Sequence, residues 1–128
     1  MPRTLISSGS HLELEIGFSR AVRVGHLIAV SGTAPIAAAG GTAAPGDVYG
    51  QTMRCLDIIG GAVSQAGGSM ANIVRTRIML TDMSRWRDAA RAHGEVFQDV
   101  RPACTFVQVS GFIDPTWLVE IEADCVVE

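Results

Sequence analysis

Three carboxylates occupy alternate positions near the end of this 128-residue chain: Glu120, Glu122 and Asp124. Successive side chains of a strand point to opposite faces of a sheet, so this spacing predicts three acids on one face. The residues between them are apolar and are expected to share the other face: Val119, Ile121, Ala123, Cys125 and Val127. A carboxylate desolvated beside apolar walls has a raised pKa and can accept a proton from water, so an acid in this row is a candidate general base.

Cys104 and His93 are further candidates for chemistry. No histidine lies near Cys104 in the sequence, and a thiol without a base or a lowered pKa is ordinarily inert, so we expect Cys104 to be an apolar side chain and not a nucleophile. The three cysteines and three histidines lack the close spacings of a disulfide framework or a zinc site, and no metal is predicted. Every basic residue is arginine, which excludes a lysine Schiff base and lysine-bound pyridoxal phosphate.

Composition indicates one domain spanning residues 1–128. A net charge of −3 without a basic run argues against nucleic acid as a partner. No apolar run approaches the ~20 residues of a membrane span. The N-terminal stretch has no apolar block after Arg3, so we expect neither a secretory signal nor membrane attachment, and a cytoplasmic location.

Hydrophobic periodicity predicts the order β-β-α-β-α-β-β, an α+β arrangement. The predicted strands cover residues 21–32 (two short strands or one bent strand), 72–83, 104–110 and 117–127, and residues 3–7 could add one more. The predicted helices cover residues 48–66, with Asp47 as N-cap, and 84–99, with Ser84 as N-cap. Two helices can cover only one face of such a sheet, and it should be the apolar one.

The uncovered face is predicted to be charged but complementary, with Arg75 and Arg77 on one strand opposite the carboxylates of the last. In this prediction Val74, Ile78 and Leu80 lie on the covered face, while Ile73 and Phe106 share the charged face. Such a mixed face suits a subunit interface with polar clefts. The alternative is a solvated outer face with ordinary surface ion pairs.

Two motifs carry a resemblance to the Rid family of reactive intermediate deaminases, also known as endoribonuclease L-PSP proteins. "VGHLIAVSGTAP" (24–35) resembles the family's strand that ends in Ser-Gly, and "RPACTFVQVSGFIDPTWLVEIEAD" (101–124) resembles its closing motif. The resemblance implies a chorismate-mutase-like fold with two helices on one face of a mixed sheet. It also implies a homotrimer whose clefts between subunits bind a small molecule. Members of the best-known subgroup hydrolyse imines and enamines to ketones and ammonia without metal or cofactor.

The resemblance assigns Glu120 as the residue that positions water and Ser31 and Gly32 as the cleft wall. Trp86 falls where the family has a cleft aromatic, and Phe106 is expected beside it as a substrate contact. Cys104 stands where the family has the arginine that holds a substrate carboxylate. The family's cleft tyrosine and asparagine are missing as well, at Phe18 or Ser19 and at Ala90. Arg101 or Arg77 could replace the missing guanidinium.

Three functions from different classes therefore stand side by side. The first is a cofactor-free hydrolase of an imine or enamine whose recognition does not use the family arginine, with Glu120 as catalytic residue. The second is a non-catalytic trimer that binds a small molecule or has a chaperone-like role, in which Glu120 only pairs with an arginine across an interface. The third is an endoribonuclease, which the absence of a basic patch and the scarcity of aromatics oppose.

Overall fold

The computed structural model describes residues 2–128. Six strands form one sheet in the order β1-β2-β3-β6-β4-β5. The strands are β1 (Arg3–Ile6), β2 (Ala21–Val24), β3 (Leu27–Thr33), β4 (Ile73–Leu80), β5 (Ala103–Gln108) and β6 (Val119–Val126). The helices are α1 (His11–Ile16), α2 (Val48–Gln65) and α3 (Trp86–Phe97). The β4–β5 pair is parallel and every other pair of neighbouring strands is antiparallel, so the predicted mixed sheet is confirmed.

The core lies between the sheet and the long helices α2 and α3. Its centre consists of side chains with no exposed surface, among them Ile28, Ile59, Ile78 and Ile121. We call the side of the sheet that carries Ile28, Ile78 and Ile121 the helix face. Burial of such side chains stabilises a fold by about 1.5–3 kcal/mol each, so this apolar face fixes the position of the helices.

The ends of α2 agree with the sequence prediction, but its cap does not form as expected. Asp47 occupies the N-cap position, yet its side chain accepts no helix hydrogen bond, and only its backbone carbonyl does, from Gln51 N at 2.9 Å. At the other end Gly67 adopts a φ of 90°, which a residue with a side chain rarely does, and Gly68 N donates to Val63 O at 2.9 Å.

Ser84 is not the cap of the second long helix, contrary to the sequence prediction. Asp82 accepts hydrogen bonds from both the amide and the hydroxyl of Ser84, and it starts a short 3₁₀ turn, Met83–Arg85, that leads into α3. The helix α1 is also absent from the predicted element order. With six residues it is too short to show a helical period in the sequence.

The open face is the side of the sheet opposite the helices, and the predicted charge complementarity is confirmed there. Arg77 forms an ion pair with Glu122, and Arg75 Nε lies 3.8 Å from Asp124 Oδ2. Strand register explains both pairs, because Arg77 is the cross-strand partner of Glu122 and Arg75 that of Asp124. Glu120, two residues before Glu122 on β6, points to the same side.

Three apolar residues lie on the opposite face from the one predicted. A bulge between Ile73 and Arg75 inserts one extra residue into β4, so that Ile73 is buried in the core and Val74 is exposed. Phe106 is the cross-strand partner of Ile78 and therefore lies on the helix face, not beside the carboxylates. Alternation within one strand cannot reveal either shift, because both depend on the register with a neighbour.

Candidate functional site

Glu120 forms one group with the end of strand β3. A Cβ atom added to Gly32 would lie 2.9 Å from Glu120 Oε1, so the carboxylate rests directly against the glycine backbone. A register shift between Val30 and Thr33 marks a bulge in β3 at this point. The bare backbone of Gly32 is thus what makes room for the acid, and the structure places Gly32 and Glu120, both named as site residues from the sequence, side by side.

The Glu120 carboxylate differs from its two neighbours on β6. Glu122 and Asp124 are both ion-paired, whereas among residues 2–128 nothing donates a hydrogen bond to Glu120 or pairs with it directly. Burial raises the pKa of Glu120, and the charge of Arg20 opposes that rise. A partly buried acid with an open oxygen and a raised pKa is a better proton acceptor than an ordinary carboxylate, and its oxygens can contact water.

Ser31 lies on the groove wall, but its hydroxyl is already engaged. Ser31 Oγ lies 3.1 Å from Ser19 O and 3.2 Å from Arg20 O, and it donates to these carbonyls. The side chain therefore fastens β3 to the segment before β2. A groove of about 540 Å³ along the open face is lined by Ser31, Phe18 and the paired acids Glu122 and Asp124.

Trp86, Phe106 and Cys104 form a second group at the other end of the sheet. The rings of Trp86 and Phe106 meet edge to face, with 6.2 Å between centroids, and Arg87 stacks on the indole at 4.6 Å. Cys104 is exposed on β5, which is an edge strand with no neighbour on its outer side. This group is a partly open aromatic surface with a thiol beside it.

The two groups do not meet within one chain. Glu120 lies on the open face, and its β4 partner is Met79, whose partner on β5 is Val107. Phe106 and Cys104, the residues that alternate with Val107, point to the helix face. We therefore call the residues Ser31, Gly32 and Glu120 the acid half-site and the residues Trp86, Cys104 and Phe106 the aromatic half-site.

Cys104 has a histidine in its neighbourhood, although none is close in sequence. His93 Nε2 lies 2.9 Å from Thr76 Oγ1, and Thr76 is the cross-strand partner of Cys104. Burial lowers the pKa of His93 and so favours the neutral ring. No hydrogen bond joins the thiol to the imidazole anywhere in residues 2–128, and the inert role of Cys104 stays a prediction.

Both alternative arginines make other contacts within their own chain. Arg77 is committed to Glu122 on the open face. Arg101 adopts a φ of 56° beyond the end of α3, and its Nε donates to Gln98 O at 3.1 Å.

Two residues that the sequence analysis did not single out hold the acid half-site. Arg20 is buried and donates from Nη1 to Gly32 O at 2.7 Å and to Thr33 Oγ1 at 2.9 Å.

Gln51 of α2 has no exposed surface and fixes the segment that enters β6. Its amide nitrogen lies 3.1 Å from Thr116 O, and its carbonyl accepts from Leu118 N at 2.8 Å. A polar residue inside an otherwise apolar helix stripe was the available sign for Gln51.

Replacing Gln51 with methionine is expected to lower the free energy of unfolding by roughly 2–4 kcal/mol, because buried hydrogen bonds are lost and the Leu118 amide is left without a partner. Urea unfolding at a fixed protein concentration measures the change. Gln65→Met, at an exposed position of the same helix, is the control and should change stability by well under 1 kcal/mol. Equal effects of the two substitutions would contradict this role for Gln51.

Within residues 2–128, no group of three or more metal-ligating side chains is assembled. No helix in the same part of the chain is long and apolar enough to cross a membrane.

Known proteins are similar to this chain in both fold and sequence. The sequence profile described as Endoribonuclease L-PSP matches residues 9–127. An uncharacterised protein of Streptomyces coelicolor is 36% identical over 119 residues, which cover 93% of this chain and 88% of that protein. A RutC family protein of Pyrococcus abyssi is 31% identical over 106 residues, 83% of each.

A solved structure extends the match to the whole fold. Rv2704 of Mycobacterium tuberculosis, a member of the YjgF/YER057c/UK114 family, is 44% identical and superimposes with a TM-score of 0.89, covering 98% of this chain and 100% of that one. The α+β Rid fold predicted from the two motifs is therefore confirmed. The chain belongs to the endoribonuclease L-PSP family, which is the Rid or YjgF/UK114 family.

Proposed function

We propose that this protein hydrolyses a reactive imine or enamine to a ketone and ammonia, with Glu120 as the catalytic base. One observation carries the proposal: of three carboxylates in a row on the open face, only Glu120 has no partner in residues 2–128, and it rests against Gly32. A structural acid in this position would be expected to have an ion pair like those of Glu122 and Asp124. An acid that must hold water has to keep its oxygens open.

The chemistry needs no cofactor. Glu120 accepts a proton from a water molecule while the water oxygen forms a bond to the imine carbon, which breaks the π-bond of C=N and transfers its electron pair to nitrogen. The protonated carboxyl returns this proton to nitrogen, which gives the carbinolamine. Glu120 then moves the hydroxyl proton of the carbinolamine to the nitrogen, the C–N bond breaks as the C=O bond forms, and ammonia leaves. One imine and one water give one ketone and one ammonia, so atoms and charge balance. An imine carbon is electrophilic enough for one general base to suffice.

The complete cleft is proposed to form between two subunits. The acid half-site lies on the open face and the aromatic half-site on the helix face at edge strand β5, so a substrate can touch both only if they come from different chains. When one surface of a subunit meets a different surface of its neighbour, the contact is head-to-tail. Repeating this contact closes a ring if the rotation between subunits allows it. The homotrimer implied by the family supplies such a ring with three equivalent clefts.

The aromatic half-site indicates the substrate class. Trp86 and Phe106 offer an aromatic wall, and Cys104 offers a thiol where the family holds a carboxylate with arginine. A thiol cannot form the charge-assisted fork that a guanidinium makes with a carboxylate. We therefore propose that the substrate is an imine without a carboxylate on the reacting carbon, with an apolar substituent.

The proposed function can be tested with a panel of imines that are generated in situ in the assay mixture. Purified protein should release ketone and ammonia from neutral imines faster than from carboxylate-bearing ones of the same size. A preference for the carboxylate-bearing imines would overturn the proposed substrate class. No release above the buffer rate for any imine would favour the second candidate, a ligand-binding trimer, for which the loss of the family arginine at Cys104 is the supporting observation.

Cys104→Arg is expected to raise hydrolysis of carboxylate-bearing imines by roughly ten- to a hundredfold, because a charge-assisted hydrogen bond contributes about 1.5–3 kcal/mol. Position 104 is exposed, so the longer side chain does not disturb the core. The ratio of kcat/KM for matched carboxylate and neutral imines measures the effect. Cys104→Gln, which adds length without charge, should leave the ratio unchanged; a similar gain with glutamine would contradict the explanation.

Gly32→Ala is expected to slow imine hydrolysis by roughly ten- to a hundredfold, since the new methyl group would displace the Glu120 carboxylate that now lies 2.9 Å away. Glu120 can swing aside, so the melting temperature should change little. Initial rates and thermal unfolding of the same sample separate the two effects. Gly61→Ala, where the added Cβ meets no atom within 4 Å, is the matched control. Full activity in Gly32→Ala would show that the position of Glu120 against Gly32 is unimportant.

A further inference from the structure

Arg20 lies beneath the acid half-site. Its Nη1 donates to Gly32 O, within the bulge of β3, and to Thr33 Oγ1, where pairing with β6 resumes. The ring of Phe18 covers the guanidinium, with 5.4 Å between Cζ and the ring centroid. Gly32 is therefore held on its carbonyl side by Arg20 while its Cα side touches the Glu120 carboxylate. One buried cation thus holds the wall against which the proposed base rests.

Three ionisable groups act on the pKa of this arginine: Glu13, Glu120 and Cys55. Glu13 of α1 influences Arg20, but its carboxylate already accepts from Ser8 N at 2.8 Å and Ser8 Oγ at 2.6 Å. Burial keeps the Cys55 thiol of α2 protonated by raising its pKa. Farther along the open face, Glu122 is paired with Arg77.

Glu120 is consequently the acid near Arg20 that has no partner of its own among residues 2–128, and Arg20 is the cation that acts on it. The two groups are farther apart than a direct ion pair, so Arg20 can stabilise the charge of Glu120 without blocking its oxygens.

We propose that Arg20 is the positioning residue of the acid half-site: its hydrogen bonds hold the Gly32 wall in place and set a buried positive charge behind the wall against which Glu120 rests. This inference rests on the proposed function of Glu120, although its physical content, a coupling between two side chains, can be measured without any substrate. Burial alone would drive Glu120 towards its protonated form, in which it cannot act as a base. A fixed positive charge at the far side of Gly32 offsets that tendency.

The sign of the effect follows directly. Arg20 favours the ionised form of Glu120, so removing the arginine moves the titration of Glu120 to higher pH. At a given acidic pH less of the base is then available, and hydrolysis slows. At higher pH Glu120 ionises in the variant too, and the rate recovers. A role confined to folding would lower the rate equally at every pH.

Titration of the wild-type protein by NMR is the primary test. The Glu120 carboxyl carbon, assigned by its absence in Glu120→Gln, is followed with pH alongside the Arg20 Nε–H resonance, assigned by its absence in Arg20→Lys. We expect the Arg20 resonance to shift with the same midpoint as Glu120. An Arg20 resonance that stays constant through the Glu120 titration would overturn the proposal; the titration is recorded on the wild-type protein, and the variants serve only to assign the two resonances.

Three variants complete the test. In Arg20→Gln the Glu120 midpoint should move to higher pH, and in Arg20→Lys it should stay near the wild-type value because the charge is kept. Arg23→Gln is the matched control, since Arg23 also donates to backbone carbonyls, Gly25 O at 2.9 Å and Ala66 O at 2.8 Å. Arg23→Gln should leave the Glu120 midpoint unchanged. A shift as large as that in Arg20→Gln would overturn the proposal.

The failures of the two proposals can be told apart. If no imine is hydrolysed but the midpoint moves in Arg20→Gln, the proposed function is wrong and the coupling is right. If imines are hydrolysed and the acid limb of the rate profile is the same in Arg20→Gln as in the wild type, Arg20 has no positioning role.

Discussion

Replacing Glu120 with glutamine is expected to slow imine hydrolysis by about a hundredfold or more, because the amide cannot accept a proton from water and general bases typically contribute 10²–10⁴-fold. The substitution preserves shape, and no hydrogen bond or ion pair to Glu120 is lost within residues 2–128. The fold should therefore be unaffected, and removal of a desolvated charge should not lower stability. The measurement is the rate of ammonia release from a neutral imine, followed alongside thermal unfolding.

Glu122→Gln is the matched control, with the same chemical change on the same strand and the same face. Glu122 is paired with Arg77, and exposed pairs of this kind contribute only about 0–1 kcal/mol, so activity and assembly should persist. Size-exclusion chromatography of both variants checks that the oligomeric state is unchanged. A Glu120→Gln protein that keeps most of its activity would exclude Glu120 as the base.

Mixing two inactive variants is expected to restore activity. Glu120→Gln destroys the acid half-site only, and Cys104→Trp fills the aromatic half-site only, at a position exposed enough to accept the ring. In a ring where each cleft joins the acid half-site of one chain to the aromatic half-site of the next, random mixing in equal amounts leaves about a quarter of the clefts intact. The two proteins are unfolded together, refolded, and assayed against each variant refolded alone.

The double variant Glu120→Gln/Cys104→Trp, mixed with wild-type protein, is a useful control because it should also give about a quarter of the wild-type activity per cleft. If both half-sites served the same chain through some other arrangement, the two single variants would stay inactive when mixed. Recovery therefore distinguishes a shared cleft from a site within one subunit, and a lack of recovery in properly refolded mixtures would contradict the shared cleft.

Much of the fold follows from local patterns. The spacing of apolar residues predicts α2 within one or two residues, and the alternation around Glu122 predicts the open face of β6 correctly. These features depend on neighbours within one element, which the sequence displays directly. The short helix α1 does not follow, because six residues give too little period to recognise.

The composition of the site was harder to predict, because it depends on pairing between strands. Phe106 alternates correctly within β5, but only the parallel register with Ile78 decides to which face it points. The face on which Ile73 lies is set by a bulge in β4, and no residue type in the sequence indicates that bulge. The role of Arg20 is not visible in the sequence, because its hydrogen-bond partners, Gly32 O and Thr33 Oγ1, lie on another strand.

Cys104 stands where the resemblance to the Rid family predicts an arginine. The structure retains an open carboxylate at Glu120 and an aromatic pair at Trp86 and Phe106. A cleft that has a general base but no arginine to bind a substrate carboxylate would be suited to imines that lack a carboxylate. Fold alone does not decide between these outcomes, because one fold hosts many chemistries.

The most direct test measures the steady-state level of a neutral imine that is generated continuously and trapped as its semicarbazone. Added wild-type protein should lower the trapped amount in proportion to its concentration and release an equal amount of ketone and ammonia, while Glu120→Gln should leave the level near that of buffer. If wild-type protein and Glu120→Gln give the same trapped amount over the whole imine panel, the protein does not use Glu120 to hydrolyse imines, and the proposed function is wrong.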